Sequence, residues 1–224
     1  MKMGSQLPVV LSSTSPRRVD LMNQIRLECQ VQAPVSEEIA KPGEHPKRLV
    51  ARLAREKAES VKDVVIRAYG DSLIISADTI VVAPDGKTIL GKPKDVKDAR
   101  AMLKLLAGKT HSVYTGYCIY HATNKPAKRA RRIATKTAAK RSPRTLVRVV
   151  CSKVKMRKLS ALMIQRYVAT GEPMDKAGSY GAQGMGTALV ERIQGSYTNV
   201  VGLPMAELVA DLEKFNLDLF VWLK

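Results

Sequence analysis

Cysteine and histidine are scarce in this 224-residue chain, with three of each and no CxxC pair. Cys29, Cys118 and Cys151 are odd in number and far apart, which argues against a disulfide framework and a thiolate zinc site. His45, His111 and His121 are just as scattered. No apolar run approaches a membrane span, and the one in "MKMGSQLPVVLSS" is too short for a secretory signal. Neither GxxxxGK[ST] nor GxGxxG opens a helix, so the common nucleotide-binding fingerprints are missing, and there is no internal repeat. What these absences leave is a soluble, cytoplasmic protein, and 45% hydrophobic residues suffice for one sizeable core.

Acid is missing from one region. Residues Lys125 to Lys158 hold 14 of the 38 Lys and Arg residues and no Asp or Glu, so the rest of the chain carries 24 basic residues against 20 acidic ones. The net charge of +18 is therefore local, and the body of the protein is ordinary. The Ala, Lys and Arg-rich middle of this segment, punctuated by Pro126 and Pro143, reads as a long exposed loop or a partly helical arm. It has no aromatic residue after Tyr120, so base stacking is not supported. Nucleic-acid binding through phosphate attraction is an alternative that is not favoured, and the Lys128-Arg129-Ala130-Arg131-Arg132 cluster leaves nuclear import open.

Strand and helix patterns alternate along the rest of the chain, predicting an α/β domain. "LPVVLS" reads as a buried strand; Ser15 then resembles a helix N-cap, with Pro16 at the first helical position. A loop around "PVSEEIAKPGEHP" leads to a helix from about Pro46 to Tyr69. "SLIISADTIVVAPDGKTIL" reads as strand and hairpin, "DVKDARAMLKLLAG" as a helix closed by Gly108, and "HSVYTGYCIYHA" as a strand. Leu146 to Met156 reads as a strand with one basic face, and "SALMIQRYVATG" as a helix capped by Ser160. "GEPMDKAGSYGAQGMG" is too rich in glycine for regular structure and suits close backbone approach to a ligand. "ALVERIQ" and "YTNVVG" continue the alternation, followed by a helix from Pro204 to about Phe215 and then "LDLFVWL".

Several polar residues sit where the pattern alone gives them no reason to be. Arg17 and Arg18 crowd the first turn of a helix, the end whose dipole prefers anions; a bound phosphate would remove the conflict, and simple solvation would tolerate it. Counting by fours, Leu49, Leu53, Lys57, Val61 and Val65 share a helix face, so Lys57 must either snorkel out or meet an anion. Asp78 interrupts an apolar strand and is either a turn former or a carboxylate needing a metal, a lysine or a proton. Lys92 and Gln183 lie in glycine-flanked loops.

Taken together, "SSTSPRR", "LAREKAE", "SADTIVV", "ILGKPKD", "MLKLLAGKTHSVYTG", "GEPMDKAGSYGAQG" and "NVVGLP" occur in the order and spacing of the Maf (septum formation inhibitor, Maf/ASMTL-like) family. The resemblance covers nearly the whole chain except about Tyr120 to Val149, where family members have a short turn. It implies a single domain over residues 1–224 with a basic insertion at about 121–149. The implied fold is a mixed α/β sheet with flanking helices and two lobes around a central cleft, similar to inosine triphosphate pyrophosphatases. It further implies a homodimer that hydrolyses nucleoside triphosphates to the monophosphate and pyrophosphate. By motif, Ser13, Ser15, Arg17 and Arg18 would hold the triphosphate, and Thr79 and Gln183 would line the site. Asp78, Lys57, Lys92 and Glu38 would be catalytic, with Asp78 and Glu38 also holding a divalent ion, Mg²⁺ or Mn²⁺. Glu37 is an alternative to Glu38, because "SEEIAKP" departs from the family pattern. The Tyr-Gly-x-Gln-Gly form resembles the branch acting on dTTP and UTP rather than on 7-methyl-GTP. The competing expectation is a Maf-like scaffold that binds nucleic acid or a protein through the basic insertion.

Overall fold

Residues 7–124 and 144–219 are described by the structure, a computed structural model. The middle of the basic segment, expected as a loop or arm, falls at 125–143 and lies outside the described residues, as does the end of "LDLFVWL" from 220 onward. Among the described residues seven strands form one mixed sheet: β1 (Val9–Ser12), β2 (Gln30–Val31), β3 (Ser72–Val82), β4 (Ile89–Leu90), β5 (Thr110–Ala122), β6 (Thr145–Met156) and β7 (Val190–Gln194). Their order is β2-β1-β3-β5-β6-β7, with β4 also on β3. β1 runs parallel to β2 and β3, and every other pairing is antiparallel. Among the described residues six α-helices flank the sheet: α1 (Pro16–Gln24), α2 (Pro46–Tyr69), α3 (Val96–Leu106), α4 (Ala161–Ala169), α5 (Tyr197–Val201) and α6 (Met205–Leu212).

The alternation of β3 decides which helix covers which face. Ile74, Ile80 and Val82 point to the face covered by α2, where Ala54, Ala58 and Val61 pack on Ile74 while Leu49, Val50 and Leu53 pack on Ile80 and Val82. Leu73, Ile75 and Val81 point to the other face. There α1 and α6 cover one end through Leu21, Met22, Leu208 and Leu212, and α3 and α4 cover the other through Leu103, Leu106, Ile164 and Val168. Each large side chain buried in this way contributes about 1.5–3 kcal/mol. α2 lies close against β5 because Gly116 has no side chain, and a Cβ there would overlap the Val50 carbonyl.

One edge of β3 carries two different neighbours. β1 pairs from Val9↔Leu73 to Ser12↔Ser76, and β4 takes over at Val81↔Leu90, while β5 occupies the whole opposite edge. Residues 77–80 of β3 therefore have no strand beside them on the β1 side, and the chain leaving β1 turns away at this gap. The crevice beyond the end of a parallel strand is where open α/β sheets bind ligands.

Local signals account for most element ends. Asp95 and Ser160 accept hydrogen bonds from Asp98 N (2.7 Å) and Met163 N (3.2 Å) as N-caps, and Gly108 follows α3 with φ +68°. One expectation changes, and two segments gain definition. Ser15 occupies the cap position of α1, but its side chain makes no cap bond; Ser15 N instead donates to Ser13 Oγ at 3.1 Å. "YTNVVG", left unassigned between strand and helix by its pattern, forms the short helix α5, because Ser196 Oγ caps it by accepting from Asn199 N at 3.1 Å. Within "ALVERIQ" only Val190–Gln194 is extended, since Gly184–Leu189 winds as 3₁₀ turns.

Candidate active site

The gap beside β3 opens into a cleft of about 620 Å³, within the range of small-molecule sites. All ten of the residues singled out from the sequence line it: Ser13, Ser15, Arg17 and Arg18 on one wall, Glu38, Lys57, Asp78 and Thr79 at the base, and Lys92 and Gln183 on the far side. Glu37 does not line it, so the acidic loop presents Glu38.

The first wall is the turn from β1 into α1. Pro16 has no N–H, and Arg18 N and Val19 N both donate to the Ser15 carbonyl, at 3.1 and 3.3 Å. This leaves the Ser15 hydroxyl and the Arg17 N–H without a partner among the described residues. Arg18 is locked in place: Nε donates to Gly202 O (2.8 Å), one terminal nitrogen to Ser13 Oγ (3.3 Å) and the other to Thr79 Oγ1 (3.1 Å). Burial lowers the Arg18 pKa and the nearby carboxylates of Asp78 and Glu38 work against that, so the guanidinium stays a cation. Arg17 instead reaches across the cleft to Asp175, with 2.9 Å between its terminal nitrogen and Oδ2.

At the base, the apolar stripe of α2 delivers Lys57 to Asp78. Lys57 does not snorkel: its side chain is 5% exposed, and Nζ lies 2.6 Å from Asp78 Oδ1 and 2.6 Å from Glu38 Oε1. Asp78 sits in the middle of β3, not in a turn, on the face toward α2 and at the unpaired gap, which is why a strand carboxylate can be buried there and still reach the cleft. Burial works against the Glu38 charge, but the hydrogen bond and charge of Lys57, with Lys92 and Arg18, outweigh it and hold the carboxyl below its usual range. Lys57 is fixed from behind as well: Ser12 Oγ donates to the Lys57 carbonyl at 3.0 Å.

Thr79 points to the opposite face of β3. It joins a chain of hydrogen bonds in which its hydroxyl meets Thr115 Oγ1 at 2.9 Å and Thr115 donates to Asn199 O at 2.9 Å. Lys92 follows β4 in an exposed turn and makes no hydrogen bond or ion pair among the described residues, leaving its ammonium free for a ligand. Gln183 is half-buried, and its side chain likewise makes no hydrogen bond among the described residues. Asp175 and Lys176, which the sequence reading passed over, also line the cleft, with Lys176 Nζ donating to Asp175 Oδ1 at 2.6 Å. Their place inside the glycine-rich stretch 171–186 was the available signal. Thr115, Asn199 and Gly202 fall in the motifs "HSVYTG" and "NVVGLP", but their roles rest on tertiary contacts that local pattern does not show.

The donor set fits a divalent ion. Asp78 and Glu38 both meet Lys57 Nζ through one oxygen, and their other oxygens, Asp78 Oδ2 and Glu38 Oε2, have no partner among the described residues. Among those residues no group of three or more His, Cys, Asp or Glu could hold a metal by itself. Two carboxylates completed by phosphate oxygens and water are the habitual environment of Mg²⁺.

A mixed α/β sheet whose gap beside β3 opens on a cleft with five cations, where a buried Asp–Lys pair meets the exposed Glu38, defines a protein built to bind a polyanion. The chain belongs to the Maf-like protein family, whose profile matches residues 8–215. It is 42% identical over 205 residues to the dTTP/UTP pyrophosphatase of Desulfotalea psychrophila, covering 92% of this chain and 93% of that protein. It is also 42% identical over 211 residues to the dTTP/UTP pyrophosphatase of Aquifex aeolicus (93% and 96%), and 40% identical over 211 residues to that of Dictyoglomus thermophilum (94% and 97%). Among solved structures, a nucleoside-triphosphatase (dITP/XTP pyrophosphatase) from Mycobacterium abscessus matches with a TM-score of 0.36 at 9% identity, covering 67% of this chain and 73% of that one. Among the described residues no helix is long and apolar enough to cross a membrane.

Proposed function

We propose that this protein is a nucleoside triphosphate pyrophosphatase that hydrolyses dTTP and UTP to the monophosphate and pyrophosphate. The observation that carries this reading is the Lys57 ammonium held between Asp78 and Glu38 at the base of the cleft that also holds the Ser13–Arg18 turn. The names of relatives about 40% identical along nearly the full chain support the substrate.

In this reading the triphosphate lies along the cationic wall. The Ser13 and Ser15 hydroxyls, the Arg17 N–H, and the side chains of Arg17, Arg18 and Lys92 receive its oxygens. Arg17 exchanges its Asp175 partner for phosphate. Asp78 accepts a proton from the water that attacks the α-phosphorus, the bond from that phosphorus to the α–β bridging oxygen breaks, and pyrophosphate leaves. Lys57, Lys92 and Arg18 stabilise the charge that grows on the leaving group. Asp78 Oδ2 and Glu38 Oε2 would hold a divalent ion, Mg²⁺ or Mn²⁺, which when bound supplies Lewis-acid polarisation of the phosphate. The base occupies the apolar side, among Val81, Leu90, Val113 and Tyr180, with Thr79 nearby and the Gln183 amide at its hydrogen-bonding edge. The family resemblance supports a cytoplasmic homodimer, which light scattering tests.

Product analysis tests the chemistry. Wild type with Mg²⁺ or Mn²⁺ should release pyrophosphate, not phosphate, from dTTP and UTP, and Asp78→Asn should lower kcat by roughly 10²–10⁴-fold. Diphosphate plus phosphate as products, or an Asp78→Asn variant as fast as wild type, would overturn the assignment.

A further inference from the structure

Gln183 lies in a loop tied down on both flanks by side chains that do not themselves line the cleft. Before it, Gly181 N donates to the Tyr167 hydroxyl at 3.3 Å, and the Tyr197 hydroxyl donates to Ala182 O at 3.1 Å. After it, Met185 N donates to Glu172 Oε2 and Gly186 N to Glu172 Oε1, each at 2.9 Å. The Tyr167 hydroxyl also donates to Glu172 Oε1 at 2.9 Å, so one carboxylate joins the two flanks. Gly184 permits this arrangement: its φ is +63°, and a Cβ there would press on the Glu172 carboxylate. Two successive backbone N–H groups converging on an anion form a nest, here filled by the protein's own side chain.

We propose that Glu172 is a positioning residue for nucleobase selectivity, fixing through the backbone of residues 184–186 where the Gln183 amide meets a pyrimidine. This deepens the reading above and rests on its placement of Gln183 at the base. A primary amide offers two donors and one acceptor, so it can serve uracil or thymine in one orientation and cytosine in the other. Discrimination therefore requires a loop held rigidly enough that only one orientation reaches the base. Burial works against charge on Glu172, but the Gly186 and Met185 amides, the Tyr167 hydroxyl and Lys176 outweigh it and hold the carboxyl below its usual range, keeping the clamp anionic at neutral pH. Glu172→Gln is nearly isosteric but loses the charge and replaces one acceptor with a donor facing a backbone N–H.

The experiment compares wild type, Glu172→Gln and Gln183→Ala by kcat and KM for UTP, dTTP and CTP, and by amide hydrogen exchange over residues 184–187. Because a charge-assisted hydrogen bond is worth about tenfold or more, Glu172→Gln should speed exchange about tenfold, raise KM for UTP and dTTP about tenfold and reduce the UTP-over-CTP preference about tenfold, with kcat within about twofold. Unchanged exchange, or faster exchange with wild-type KM and preference, would overturn the proposal, as would a loss confined to kcat. If Gln183→Ala shifts the preference and Glu172→Gln does not, the clamp alone is wrong. If Gln183→Ala also keeps wild-type KM and preference, the placement of Gln183 at the base is wrong, and the proposal falls with it. Should Glu172→Gln fail to fold, Tyr167→Phe removes the hydrogen bonds at Gly181 N and Glu172 Oε1 alone. A raised UTP KM with reduced preference supports the proposal in that variant, and wild-type preference overturns it.

Discussion

Lys57 and Asp78 form a buried ion pair, 2.6 Å from Nζ to Oδ1, between a helix and a strand that pack as otherwise apolar surfaces. The two side chains are 5% and 6% exposed, so each charge depends chiefly on its ion-pair partners. Removing Lys57 strands Asp78, whereas removing Asp78 leaves Lys57 its Glu38 partner.

Lys57→Met should therefore destabilise the protein by about 3–5 kcal/mol, whereas the double variant Lys57→Met, Asp78→Asn should recover much of that loss and remain inactive. Thermal melts of the two single variants and the double, read as a double-mutant cycle, check this. Additive losses would mean that the pair is not coupled in the folded state.

Acid should weaken the fold through His111. Burial first, and the charge of Lys153 second, lower its pKa from 6.5 to about 4. The folded ring stays neutral while the unfolded chain takes up a proton below pH 6.5, so this contribution to stability is complete above that pH and is lost as the pH falls toward 4. The full effect is roughly 3 kcal/mol. Melting wild type and His111→Gln between pH 7.5 and 4.5, conditions set by these values, should give a shallower slope in the variant; equal slopes would sink the assignment to His111.

The basic segment should be dispensable for hydrolysis. Its flanks are closed by the sheet itself, with Tyr120 paired to Thr145 and His121 N donating to Arg144 O at 2.8 Å. Replacing residues 125–143 by a hairpin linker of about four residues should leave kcat/KM for UTP within about twofold while abolishing any salt-sensitive binding to nucleic acid. A loss of hydrolysis in a folded variant would instead favour a role for the segment in the reaction.

Periodicity made much of this legible. The interval of four residues put Lys57 on the buried stripe of α2, and the apolar run around Asp78 marked a strand. The residue motifs then named the cleft before any fold was visible. Pairings across the chain were not legible in this way. Nothing in the local sequence says that Arg17 meets Asp175, 158 residues away, or that Lys57 would find carboxylates instead of snorkelling. Short elements failed for a related reason. β2 and β4 have two residues each and exist only because a longer strand offers them an edge, while the β-branched valines of α5 hid a helix that its Ser196 cap decides.

The hydrogen bond from Arg18 Nε to Gly202 O spans 184 residues. A loop that long is expensive in entropy to close, and no stretch of chain shorter than it can contain both halves of the cleft. Synthesis from the N-terminus exposes the Ser13–Arg18 turn first and supplies the carbonyl that aligns Arg18 nearly last. The nascent chain can thus carry its cationic motif through most of its synthesis without a working site, and the recovery of hydrolysis during refolding times the moment when the two ends of the protein meet.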